Sequence, residues 1–197
     1  MGFAKQWKGV NGYMIRDPGT FFTKYDESRG IGFPIAFMLV SFVAVMVPLA
    51  VLSAALNVTT PGDAAIGLVA FLALGVVFWV LGLVEALLAH GIVYLFGARG
   101  LAKTLEAYAF PTVVRYGLWW IPIVQLVGLY GFYLQIKGMA EFHGISTGKA
   151  AIAGILASIL YFLPVIVVLA AVIAAFVLDL GSTAEPAPAV LLVEHVA

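Results

Sequence analysis

Residues 104–139 read TLEAYAFPTVVRYGLWWIPIVQLVGLYGFYLQIKGM, and the number of membrane crossings turns on how this stretch divides. A bilayer core of ~30 Å takes about 20 apolar helical residues, so one crossing cannot use all of it. Gly117, Trp119, Trp120 and Pro122 stand near its middle. Paired tryptophans favour a membrane–water interface, and glycine and proline favour a turn. The division predicts a short third span over 104–117 and a fourth over 121–139. Outward from it, no charge lies between Arg29 and Asp63, which places the first span at 32–56 with a kink at Pro48. The second covers 65–95, interrupted only by Glu85 and His90, and the fifth covers 148–178, uncharged between Lys149 and Asp179.

Composition agrees with lipid as the solvent. The chain is 63% hydrophobic and 10% charged, whereas soluble domains carry about 25% charged residues. A net charge of zero gives no support for nucleic-acid binding, and the absence of cysteine excludes disulfides and thiolate chemistry. The basic residues set the orientation. Lys5, Lys8, Arg16, Lys24 and Arg29 precede the first span, Arg99 and Lys103 follow the second, and Lys137 and Lys149 follow the fourth. The loop 57–64 has none. By the positive-inside rule the N-terminus is cytoplasmic, the chain crosses five times and the C-terminus lies outside. Arg115 alone falls at the outer end of a span.

The expected fold is an all-α polytopic bundle. It comprises a cytoplasmic arm (1–30), a five-span domain (31–180) and an external tail (181–197). In the arm, Asp17-Pro18 reads as an N-cap followed by proline at the first helical position. Phe21, Phe22 and Tyr25 follow, as in a short helix lying in the inner interface. Within lipid, helices associate through small residues that let backbones approach. Gly75, Gly82 and Ala89 share one face of the second span. Gly128 and Gly131 mark the fourth, and Ala150, Ala153, Gly154, Ala157 and Ser158 mark the fifth. Such seams serve internal packing or self-association, and spacing alone does not choose.

Charged groups at the bilayer centre cost about 2.5–3.5 kcal/mol each on insertion scales, so each needs a reason. Glu85, His90, Glu106, Gln135 and Lys137 all fall toward the cytoplasmic side and are expected to form one inner cluster. Arg115 falls in the outer half and is expected to be a poor partner for Glu85. Three readings of the two glutamates compete: structural pairing with Lys103, Lys137 or helix ends; a proton or ion relay; and a metal site with His90, Glu141 and His143. The last has no dependable spacing. No nucleophile set, Walker loop or dinucleotide fingerprint is present, so no catalytic residue, metal or cofactor is expected.

Two stretches carry a resemblance. One is Arg16-Asp17-Pro18-Gly19-Thr20-Phe21-Phe22 with Glu27-Ser28-Arg29-Gly30-Ile31-Gly32-Phe33-Pro34. The other is Gly138-Met139-Ala140-Glu141-Phe142-His143-Gly144-Ile145-Ser146-Thr147-Gly148-Lys149-Ala150. With Phe96-Gly97-Ala98-Arg99-Gly100, Tyr108 and Pro111 between them, the ordered set resembles the prokaryotic branch of the Yip domain (Ypt-interacting protein) family over about 10–180. The resemblance implies five spans and a cytosolic N-terminus. Eukaryotic members associate with Rab-type GTPases and act in vesicle traffic and membrane shaping; their cytosolic arms are longer than this one. It implies a non-enzymatic protein of the cell membrane, working as scaffold, assembly partner or membrane-organising factor. Its partners would be the lipid bilayer and another membrane protein or a second copy. The alternative is a small ion, proton or solute transporter or channel using Glu85 and Glu106.

Overall fold

The computed structural model describes residues 2–25, 29–117 and 126–182. Among these, all regular structure is helical: α1 (Phe3–Arg16), α2 (Pro18–Lys24), α3 (Gly32–Leu56), α4 (Pro61–Leu95), α5 (Leu101–Ala109), α6 (Thr112–Tyr116), α7 (Leu126–His143) and α8 (Thr147–Ser182). Among the described residues three helical stretches are long and apolar enough to cross a membrane: Gly32–Leu56, Pro61–Leu95 and Thr147–Pro164. The expected third span is instead two short helices. Pro111 offers no N–H to continue α5, and the Thr112 hydroxyl donates to the Tyr108 carbonyl at 3.1 Å across the break. At 1.5 Å per residue, nine-residue α5 rises about 14 Å, roughly half a bilayer core. The turn expected at Trp119-Trp120-Pro122 and the tail from residue 183 lie outside the described residues.

The described residues fall into two units divided between Tyr161 and Phe162, within α8. In the second, Leu163, Ile166, Val167 and Ile173 are exposed on α8, a surface suited to lipid.

In the first unit α3 and α4 form an antiparallel pair built on the glycine face read from the sequence. A Cβ at Gly75 would lie 3.3 Å from the Phe42 carbonyl, and one at Gly82 would lie 2.9 Å from the Phe42 ring. Trp79 Nε1 donates to the Ile35 carbonyl at 3.0 Å across the same interface. Gly131 brings α7 so near α6 that an added Cβ would fall 2.6 Å from Arg115 Cβ, and Gly128 faces the Arg115 carbonyl. Ala89, Ala150, Ala153 and Ala157 are fully buried. Gly154 packs on Met139 and Phe132 of α7.

The N-terminal segment is more structured than expected. Phe3, Trp7, Val10 and Met14 recur at helical spacing and give α1 one apolar face. That face docks on α3: Phe3 meets Phe33, and Trp7 Nε1 donates to Ser41 Oγ at 2.9 Å. The expected Asp17 cap is present, with Asp17 Oδ1 accepting from Thr20 N at 3.0 Å. Thr20 holds the exposed Asp17 carboxyl below its ordinary value through that bonding. The aromatics of α2 turn toward the protein. Phe21 and Phe22 are buried inside the protein among Phe110, Phe142 and Tyr25, with ring centroids 5.0–5.7 Å apart. Aromatic pairs add about 0.5–1.5 kcal/mol beyond their burial, so packing holds the helix here.

Two caps close α4 and α7. Gly97 N donates to Tyr94 O and Ala98 N to Val93 O, both at 3.1 Å. Gly144 N donates to Glu141 O at 3.3 Å and Ile145 N to Ala140 O at 3.1 Å. Each is a Schellman motif with glycine at positive φ, +92° at Gly97 and +62° at Gly144.

Gly131→Ala is expected to lower stability by about 1–3 kcal/mol, because the clash is with backbone and no rotamer relieves it. Gly91→Ala, with open space around its Cβ, should gain up to about 1 kcal/mol of helix propensity. Thermal unfolding in detergent checks the pair, and a neutral Gly131→Ala would contradict the close approach.

Candidate functional site

The polar residues singled out in the sequence separate into distinct groups. The first centres on Glu85, ten residues before the end of α4 and 1% exposed. Arg115 of α6 reaches it with both terminal nitrogens: Nη2 donates to Oε1 at 3.0 Å and Nη1 to Oε2 at 3.3 Å. Ser158 Oγ of α8 donates to Oε1 at 2.8 Å, and Tyr116 Oη to Oε2 at 3.4 Å. Arg115 Nη1 also donates to Gln135 Oε1 of α7. The guanidinium lies 5.0 Å from the Tyr116 ring centroid and 5.2 Å from that of Phe132.

The pairing corrects the expectation that Arg115 is too far outward for Glu85. Glu85 lies ten residues before the end of α4 and Arg115 fourteen after the start of α5, with the helix break at Pro111 between, and the long arginine side chain covers the remaining difference. Gly131 removes the bulk that would otherwise hold α7 off Arg115. The signal was present in the sequence: the two charges stand deep in apolar segments with opposite signs, and a buried charge requires a partner. Ser158 had been visible only as a small seam residue; its hydroxyl donates to the same carboxylate.

The second group centres on Glu106 of α5, also 1% exposed. Its Oε1 accepts from Tyr25 Oη at 3.2 Å and from the Arg29 N–H at 3.4 Å. Here α5 is tied to the segment between α2 and α3. The third joins His90 Nδ1 to Thr104 Oγ1 at 2.8 Å and Thr104 Oγ1 to His143 Nε2 at 2.9 Å. One hydroxyl bridges two rings, so with both neutral one ring presents an N–H and the other a lone pair. Burial pushes the His143 imidazole, beyond the apolar part of α7, down to about 4. Thr104 and His143 as a bridging pair were not apparent in the sequence, because threonine carries no charge to betray a buried role. Lys137 joins none of these groups. It pairs with Glu141 one turn along α7 at 3.3 Å, both partly exposed, and such pairs contribute about 0.3–0.5 kcal/mol.

The expected single inner cluster is therefore not formed: Glu85 with Gln135, Glu106, and His90 belong to three groups. Among the described residues no set of three or more His, Cys, Asp or Glu is placed to hold a metal ion. The Tyr108 hydroxyl is buried with no hydrogen-bond partner among the described residues.

Glu85→Gln is expected to cost about 3–5 kcal/mol, because it leaves Arg115 buried and uncompensated. Tyr116→Phe removes only the longest of the bonds, so its cost is expected near 1 kcal/mol. Unfolding midpoints in detergent rank the two, and the reverse order would contradict the geometry.

A model of the Yip1 domain family matches residues 12–169 of the chain. No curated protein and no solved structure shows significant similarity to it.

Proposed function

Because the chain belongs to the Yip1 domain family, we propose that it is a non-enzymatic, five-span protein of the cell membrane that works by interaction, as scaffold, assembly partner or membrane-organising factor. That it is a multi-pass membrane protein follows from its family and its long apolar helices. The observation that carries the finer reading is the state of Glu85. An ionised carboxylate offers about four lone-pair sites, and Arg115 (twice), Ser158 and Tyr116 supply four donors. A saturated carboxylate holds helices together; a relay needs one with a site to spare. Glu106 belongs to a separate group, so the two glutamates of the transporter alternative do not share a path by direct contact.

In this reading the segments 104–117 and 121–139 cross as the third and fourth spans. The arm 1–30 is cytoplasmic and the tail 181–197 external, with 31–180 as the membrane domain. The distribution of Lys and Arg supports this sidedness. The exposed Lys5, Lys8 and Arg16 lie on the face of α1 opposite the one that docks on α3.

A chain without cysteine gives a clean background for single-cysteine labelling. Five spans predict that Thr59→Cys reacts with an impermeant maleimide in intact cells, whereas Ala4→Cys and Gly148→Cys react only after the membrane is opened. Labelling of Gly148→Cys in intact cells would remove one crossing.

Crosslinking in native membranes followed by mass spectrometry tests the role itself. A stoichiometric membrane-protein partner or a second copy is expected. Recovery of uncrosslinked chain alone, with ion flux in liposomes that Glu106→Gln abolishes, would overturn the interaction reading.

A further inference from the structure

A cavity of about 270 Å³ opens between α2, α5 and α7. Pockets for drug-sized ligands run about 300–1,000 Å³, so this one suits a small group. Its lining mixes two kinds of chemistry. Phe22, Tyr25 and Phe142 supply aromatic walls, with Phe142 5.6 Å from Phe22 and 5.4 Å from Tyr25 by ring centroids. Glu106 and Glu141 supply carboxylates and Lys103 an ammonium. Among the described residues Lys103 makes no ion pair, although two carboxylates line the same cavity. Glu141 pairs with Lys137 at its side and Glu106 accepts from Tyr25, but neither meets Lys103; opposite charges that face one open space without touching across it complement a ligand that carries both signs.

The residue types narrow its chemistry. Aromatic rings with carboxylates bind an organic ammonium by cation–π attraction and charge-assisted hydrogen bonds. A lysine ammonium is a point-charge binder of phosphate. The position narrows the source. Lys103 follows the α4–α5 turn and Glu141 stands in the last turn of α7, beyond the apolar part of each segment. Lipid headgroups occupy that level. We propose that this cavity binds the headgroup of a phospholipid bearing a primary ammonium, the phosphoethanolamine class. Its ammonium meets Glu106 and Glu141 against the rings, and its phosphate meets Lys103. A primary ammonium is favoured over a quaternary one because its N–H groups can donate to the lone pairs that Tyr25, the Arg29 N–H and Lys137 leave open on the two carboxylates. The proposal extends the interaction reading by naming a lipid partner, but it rests only on the cavity and its level in the membrane, so labelling and lipid binding fail independently.

The test is native mass spectrometry of the full chain purified in detergent with equimolar phosphatidylethanolamine, phosphatidylcholine and phosphatidylglycerol. Retention of phosphatidylethanolamine is expected to exceed that of either competitor by roughly tenfold, equivalent to about 1.4 kcal/mol. Lys103→Gln and Glu141→Gln, both at exposed positions, are expected to bring the ratio toward one, with the unfolding midpoint unchanged in the first and lowered in the second only by the loss of the exposed Lys137 pair. Glu106→Gln is the less clean variant, because that carboxylate also ties α5 to Tyr25. Equal retention of the three lipids by the native chain would overturn the proposal, as would a preference that survives in the Lys103→Gln/Glu141→Gln double variant. Soluble phosphoethanolamine binding as tightly as the lipid would overturn the lipid as its source.

Discussion

A carboxylate buried in an apolar helix must be neutralised and hydrogen-bonded, and satisfying Glu85 fixes much of this structure. Its partners come from three other helices or helix turns: Arg115 and Tyr116 of α6, Ser158 of α8, and, through Arg115, Gln135 of α7. Lipid offers helices no hydrophobic reason to associate. A bidentate pair in a low-dielectric setting supplies both attraction and register. The break at Pro111 allows the short α6 to follow α5, and Gly131 allows α7 to approach Arg115 closely. A buried ion pair is weak evidence of net stability compared with an apolar pair, and its better-attested use is specificity. That use suits a bundle whose other helix contacts are small-residue faces, a cluster of aromatic rings and scattered hydrogen bonds.

The motifs that carry the family resemblance prove to be largely helix punctuation. Asp17-Pro18 starts α2, Gly97-Ala98 closes α4, Gly144-Ile145 closes α7, and Ser146 Oγ accepts from Lys149 N at the start of α8. These positions dictate where the chain turns, which explains why the resemblance speaks to architecture. The Yip1 family assignment and the helical architecture agree at that level. The same architecture presents a basic face on α1 and a mixed-charge cavity beside Glu106.

The long apolar segments and their small-residue faces were legible in the sequence because uncharged length and seven-residue spacing are one-dimensional signals. Gly75 and Gly82 sit where that spacing puts them. The helix α1 was not legible. Its apolar residues are interspersed with Lys5, Gln6, Lys8 and Asn11, Gly9 and Gly12 weaken its propensity, and its stability comes from Trp7 and Met14 packing on a distant part of the chain. The division of the polar residues was hidden for a related reason. Depth along a span can be counted, but which face a residue occupies after a break at Pro111 cannot. So Arg115 looked remote from Glu85, and Lys137 looked like a cluster member although it faces Glu141. The hydroxyl groups of Thr104 and Ser158 gave no sign of their partners, since a hydroxyl is common on any face.

The central claim is that Glu85 and Arg115 act as one structural unit. A double-mutant cycle measures this directly, using Glu85→Met, Arg115→Met and the two together, with unfolding free energy followed in detergent. Each single change strands a buried charge, so the account predicts that the double variant is more stable than either, with a coupling at the upper end of the usual ~0.5–3 kcal/mol. Additive losses, or single changes without effect, would show that the helices are held together by something other than this pair.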